Sequence, residues 1–206
     1  MNDMKNFPPV VKNLLIINGL VFLAEFVLPQ TLGFSLEKWV ALYFVGSSYF
    51  RVWQPVTYMF AHAGFDHLFF NMFALWMFGR ILENTWGSRR FLTYYMVCGL
   101  GAAFTQEVLQ LLGVIPPAPV VGASGAVYGL LLAFAMMFPN MPMYIIPFPF
   151  PIKAKWMVIG YTIIELIEGV ANFGNVAHFA HLGGMIFGCL LIVYWRKKNN
   201  THGWNY

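Results

Sequence analysis

Charge is what this sequence has least of. Asp, Glu, Lys and Arg together make up 10% of its 206 residues, while 59% are hydrophobic and 18% aromatic. A soluble globular domain carries roughly 25% charged residues, so the chain lacks the polar surface of a dissolved monomer. Cysteine is scarce as well. Cys98 and Cys189 each sit inside an apolar run, where a thiol behaves as a small buried hydrophobe. With no CxxC pair and no zinc-ligand spacing, neither a disulfide framework nor a structural zinc site is expected.

What the chain does have is apolar runs of membrane-spanning length. A spanning helix needs about 20 mostly apolar residues, and six stretches qualify, at about 12–30, 67–83, 91–112, 124–138, 155–170 and 176–195. Helices are the natural form, because hydrocarbon offers no partner to an unpaired backbone group. The expected fold is an all-α polytopic membrane protein, a six-transmembrane-helix bundle forming a single domain over 1–206. The first run, "LLIINGLVFLAEFVLP", reads as a retained span rather than a cleaved signal, since Glu25 interrupts it and no small-residue cleavage pattern follows.

An even number of spans puts both termini on one side. If that side is cytoplasmic, it receives Lys5, Lys12, Arg80, Arg89, Arg90, Lys153, Lys155, Arg196, Lys197 and Lys198, and only Lys38 and Arg51 remain outside. Such a bias follows the positive-inside rule. It also explains the formal charge of +4 through lipid headgroups at the helix ends. Membrane lipids, not nucleic acid, are the expected partners of these cations. The connection from about 31 to 66 is external and rich in Trp and Tyr, which suits a membrane-associated first loop.

The fourth stretch is short. Ser124 to Phe138 gives 15 residues, or about 22 Å of helix against a hydrocarbon core of about 30 Å. Its external end is therefore expected to start below the surface, with the irregular "GVIPPAPVVGA" before it lining a cavity. Spans two, four and six all run inward, so His67 and Asn71, then Ser124, then His178 and His181 share one external depth. Polar groups in spans are functional candidates. A serine needs a base to become a nucleophile, and histidine is the usual one. Asn71, His67 and the Ser124 backbone amide at a helix N-terminus could hold an oxyanion. Both His178 and His181 are candidate bases, and the glycine pair that follows His181 favours it.

Gly125 with Gly129, and Gly184 with Gly188, are GxxxG pairs that let helices approach closely. Tyr128, one turn below the serine, could stack on the imidazole. Glu25, Glu107, Glu165 and Glu168 scatter in depth, so no ion-ligating cluster and no carboxylate beside the base are expected: a dyad, not a triad. Taken singly, the serine could be an N-cap and the glycines mere packing. Convergence at one depth is what favours chemistry.

Three blocks, "HAGFDHLFFNMFALWMFG" (62–79), "GASG" (122–125) with Tyr128, and "AHFAHLGGMIFG" (177–188), resemble the rhomboid family of intramembrane serine proteases. The resemblance covers essentially the whole chain. It implies Ser124 as nucleophile, His181 as general base, His67 and Asn71 as oxyanion residues, Tyr128 as the aromatic packed on the base, and Gly122 as a backbone position lining the site. It also implies that Glu83 ties adjacent helices. The family's Trp-Arg pair is reversed here, with Arg51 preceding Trp53, which bears on loop contacts rather than chemistry.

The expected function is an intramembrane serine endopeptidase acting on transmembrane protein substrates near the external face, with no metal or organic cofactor. Its expected location is a bacterial plasma membrane, with both termini cytoplasmic. The alternative is a non-proteolytic factor that binds or remodels client helices. A transporter would instead call for coordinating groups deeper in the bundle.

Overall fold

The structure, a computed structural model, describes residues 7–144, 150–171 and 177–200. It is almost wholly helical: α1 (Pro9–Leu32), α2 (Glu37–Val40), α3 (Gln54–Thr57), α4 (Phe65–Ala74), α5 (Arg80–Trp86), α6 (Ser88–Leu111), α7 (Ser124–Met137), α8 (Ala154–Ala171) and α9 (His178–Asn200). A two-residue antiparallel pair, β1 (Pro142–Met143) with β2 (Ile152–Lys153), sits between α7 and α8. Helix thus occupies each of the six apolar stretches, with shifted ends. α1 starts at Pro9 rather than at 12, because proline at the first position loses no needed N–H. α9 runs past 195, with Lys197 and Lys198 in its last turn, where the helix dipole favours cations. Position 176, the expected start of the sixth span, lies outside the described residues, as does Lys5.

The second stretch departs from a plain helix. α4 and α5 are joined by a π-helical turn, Leu75–Gly79, a widened insertion frequent at functional sites. Gly79 closes it: a Cβ there would stand 3.1 Å from Val11 and 3.2 Å from Phe91. The turn shifts the facing of α5 relative to α4, which carries His67 and Asn71. Apolar periodicity alone cannot signal such an insertion.

α1 and α9 are long and apolar enough to cross a membrane. Only 17% of α1's most apolar window is buried, and Ile16, Leu20, Leu23 and Phe26 point outward. A helix that exposes this much apolar surface is suited to lipid, not water. The chain is an integral membrane protein built as a helical bundle. α7, at 14 residues, lies central instead, with Leu130, Ala133 and Phe134 in a core shared with Tyr94, Tyr95 and Cys98 of α6. Buried phenols bond helix carbonyls: Tyr58 donates to Gly99 at 2.7 Å and Tyr94 to Gly129 at 2.8 Å. Both cysteines are free thiols.

The first loop is pinned from within. Buried Gln54 accepts from the Tyr43 and Arg51 amides and donates to the Tyr49 carbonyl. Trp53 donates its indole N–H to the Trp39 carbonyl, and the Arg51 guanidinium lies 6.0 Å from the Trp39 ring. Trp53 and Arg51 thus both meet Trp39, one at its carbonyl and the other at its ring.

At the opposite end of α1, Glu83 of α5 accepts from the amides of Val10 and Val11, at 3.0 and 2.8 Å, and from the Ser88 hydroxyl at 2.6 Å. These amides belong to the first turn of α1, which has no side-chain cap of its own. One carboxylate therefore fastens α1 to α5 and α6. Glu83→Ala should lower stability by about 3 kcal/mol, with Glu83→Gln losing less, because buried donors are left unpaired. Unfolding of the detergent-solubilised protein in an SDS titration measures this, and an unchanged midpoint for Glu83→Ala would contradict the tie.

Candidate active site

Ser124 is the first residue of α7, and His181 lies in the first turn of α9. They meet because the two helices cross without side chains between them. A Cβ on Gly184 would collide with the carbonyl of Gly125. The other glycines also serve a third helix. A Cβ on Gly129 would strike Cys98, and one on Gly188 would strike Tyr94 and Cys98, all on α6. The two GxxxG pairs therefore build a three-helix junction, not only the α7–α9 contact.

At the end of that crossing, His181 Nε2 stands 2.8 Å from Ser124 Oγ. His178, the other candidate base, points elsewhere: its Nδ1 lies 2.8 Å from Glu165 Oε2. His181 Nδ1 lies 2.9 Å from the same oxygen. Tyr128 stacks on the His181 ring, with centroids 4.3 Å apart and planes 8° from parallel. Its hydroxyl donates a short hydrogen bond to Glu165 Oε1. Each of these side chains except Ser124 and Tyr128 is buried.

The expectation that no carboxylate stands beside the base is overturned. Glu165, on α8, bonds His181 directly. The expectation of no ion-ligating cluster falls with it, since ligand atoms of Glu165, His178 and His181 lie within 4.8 Å of one another. In the structure, each Nδ1 faces the carboxylate at hydrogen-bonding distance. A signal for Glu165 was present in the sequence. If the fifth apolar stretch runs opposite to the fourth and sixth, "IELIEG" near its end comes level with His178 and His181 at the start of the sixth.

The remaining candidates line one side. Gly122, at φ +123°, has backbone geometry that disfavours any side chain, and a Cβ would stand 2.7 Å from Cε1 and Nε2 of His67 and 3.6 Å from Ser124 Oγ. Its absence leaves room for the His67 ring against the backbone of residue 122. His67 Nδ1 accepts from the Ala63 amide at 3.4 Å, leaving its proton on Nε2, toward Gly122. Asn71 donates one amide hydrogen to the His67 carbonyl at 2.9 Å and keeps a second. His62, on the loop before α4, ties that loop to α1 through its backbone N–H and Glu25 at 3.2 Å. Burial, with His67 beside it, pushes the His62 imidazole down to about 4, so the ring is neutral at neutral pH.

A hydroxyl beside an imidazole, which in turn faces a carboxylate, thus stands at the start of a helix within an apolar bundle. The Rhomboid domain profile matches residues 49–198, and the chain belongs to the rhomboid family. It is 35% identical over 133 residues to Rhomboid protein 1, mitochondrial, of Saccharomyces cerevisiae, covering 64% of this chain and 38% of that protein. It is 33% identical over 141 residues to Rhomboid protease GluP of Bacillus subtilis, covering 66% and 24%. The Putative rhomboid protease YdcA of the same bacterium is 29% identical over 185 residues, covering 89% and 86%. The match thus spans well under half the length of the first two relatives.

Gly184→Ala should destabilise the protein by about 1–3 kcal/mol, the cost of overpacking a backbone contact. Gly160→Ala on α8, where a Cβ meets nothing within 4 Å, should be neutral or slightly stabilising. SDS unfolding of the two variants side by side tests the crossing, and equal midpoints would contradict it.

Proposed function

We propose that this protein is an intramembrane serine endopeptidase that hydrolyses peptide bonds of transmembrane substrates near the external membrane face. The observation that carries the reading is the 2.8 Å contact between His181 Nε2 and Ser124 Oγ. It sits at the N-terminus of a helix too short to reach both surfaces. The family and a relative named as a protease support it. Six spans, both termini cytoplasmic, a bacterial plasma membrane and a first loop resting in the interface form the setting. The bias of basic residues supports that orientation.

In this mechanism a substrate helix unwinds locally, freeing a carbonyl that its own backbone had shielded. The Ser124 oxygen attacks the carbonyl carbon as its proton passes to His181 Nε2. Negative charge then develops on the carbonyl oxygen, where the His67 Nε2–H, the free amide hydrogen of Asn71 and the Ser124 backbone N–H stabilise it. His181 returns the proton to the departing amine, and water releases the acyl group by the reverse sequence. Stacked Tyr128 keeps the imidazole plane fixed between the two steps. Gly122 keeps the wall beside the oxyanion free of a side chain.

A non-proteolytic factor binding client helices would use the same short α7 but not the Ser124 hydroxyl. Reconstituted with a reporter transmembrane helix, Ser124→Ala should cleave at least about a thousandfold more slowly than the native protein and still bind the reporter. Undiminished cleavage by that variant would refute the nucleophile assignment.

A further inference from the structure

We infer that Glu165 completes a Ser124–His181–Glu165 triad, as a positioning residue acting through His181. The inference rests on the proteolytic reading above and deepens it. An imidazole can carry its single proton on either nitrogen, and only the tautomer with Nδ1 protonated leaves Nε2 able to take the serine proton. A carboxylate is acceptor-only. Placed 2.9 Å from His181 Nδ1, it selects the tautomer that puts the Nε2 lone pair on Ser124 Oγ.

The carboxylate is itself held from three directions. Tyr128 of α7 donates to Oε1, and His178 and His181 of α9 both reach Oε2. Glu165 is buried, and a buried carboxylate is tolerable when its oxygens are fully bonded. The hydroxyl of Tyr128 blocks rotation of the carboxylate, and its ring lies flat on His181. Both the orientation and the tautomer of the base are therefore set by one closed network. Glu168, 3.5 Å from His178 Nδ1, adds a second negative charge at its edge.

During attack, the Ser124 Oγ–H bond breaks, the proton goes to His181 Nε2, and the new Oγ–C bond forms. Glu165 takes no proton. It holds the Nδ1 hydrogen and offsets the positive charge that His181 acquires. His178 has no part in the transfer and serves to anchor the carboxylate.

The test uses the full-length protein in liposomes with a reporter transmembrane helix, comparing the native chain, Glu165→Gln, Glu165→Asp and Ser124→Ala. Glu165→Gln should lose at least about a hundredfold in kcat with KM changed less than about threefold, whereas lost packing alone would move both. Glu165→Asp keeps the charge and should recover part of the lost kcat. Ring-¹⁵N histidine NMR of the native protein, with His181 assigned through its loss in His181→Gln, should show the proton on Nδ1 and a bare Nε2. This readout does not depend on any Glu165 variant folding. The opposite tautomer, or a kcat within about threefold of native in Glu165→Gln, would overturn the triad. If Ser124→Ala stays inactive in that case, the proteolytic reading survives. Cleavage by Ser124→Ala would instead end that reading and the triad with it.

Discussion

The close crossing of α7 and α9 is the constraint on which the rest depends. In lipid, helices gain little from burying apolar surface against each other, so backbone proximity and packing must supply the attraction. Gly184 against the Gly125 carbonyl gives that proximity where a single methyl would prevent it. One helix then presents a hydroxyl from its first residue and the other an imidazole from its first turn. Their 2.8 Å separation follows from how near the axes come. α6 fills the junction from the third side, with Cys98 seated against Gly129 and Gly188.

A second constraint is that buried polar groups must find partners. Two carboxylates answer it in the same way at opposite ends of the bundle. Glu83 gathers two backbone amides and a hydroxyl and so holds the start of α1. Glu165 gathers a phenol and two imidazoles and so holds the region around His181. The same physical device holds the start of a helix in one place and two imidazole rings in the other. In a chain with so few charges, each buried acid shapes the structure around it.

Much of this architecture is legible in the sequence, because helix occupies each of the six apolar runs. The start of α7 at Ser124 and the meeting of Ser124 with His181 can be anticipated by counting residues along stretches that alternate in direction. The choice between His178 and His181 is not legible that way, since both lie in one helical turn; their ring directions depend on where Glu165 stands. Glu165 itself goes unseen when acids are judged by scatter along the chain instead of by the direction of α8. The π turn at Leu75–Gly79 and the anchoring of the first loop by Gln54 depend on tertiary packing that periodicity does not encode.

Family membership and the 2.8 Å contact between His181 and Ser124 both support the proposed proteolytic reading. The most direct measurement of their agreement is to treat the folded, membrane-reconstituted protein with a fluorophosphonate and map the adduct by peptide mass spectrometry. A serine activated by His181 in a hydrated pocket predicts one adduct, on Ser124. An adduct on another residue, or none while the protein cleaves a transmembrane reporter, would contradict it.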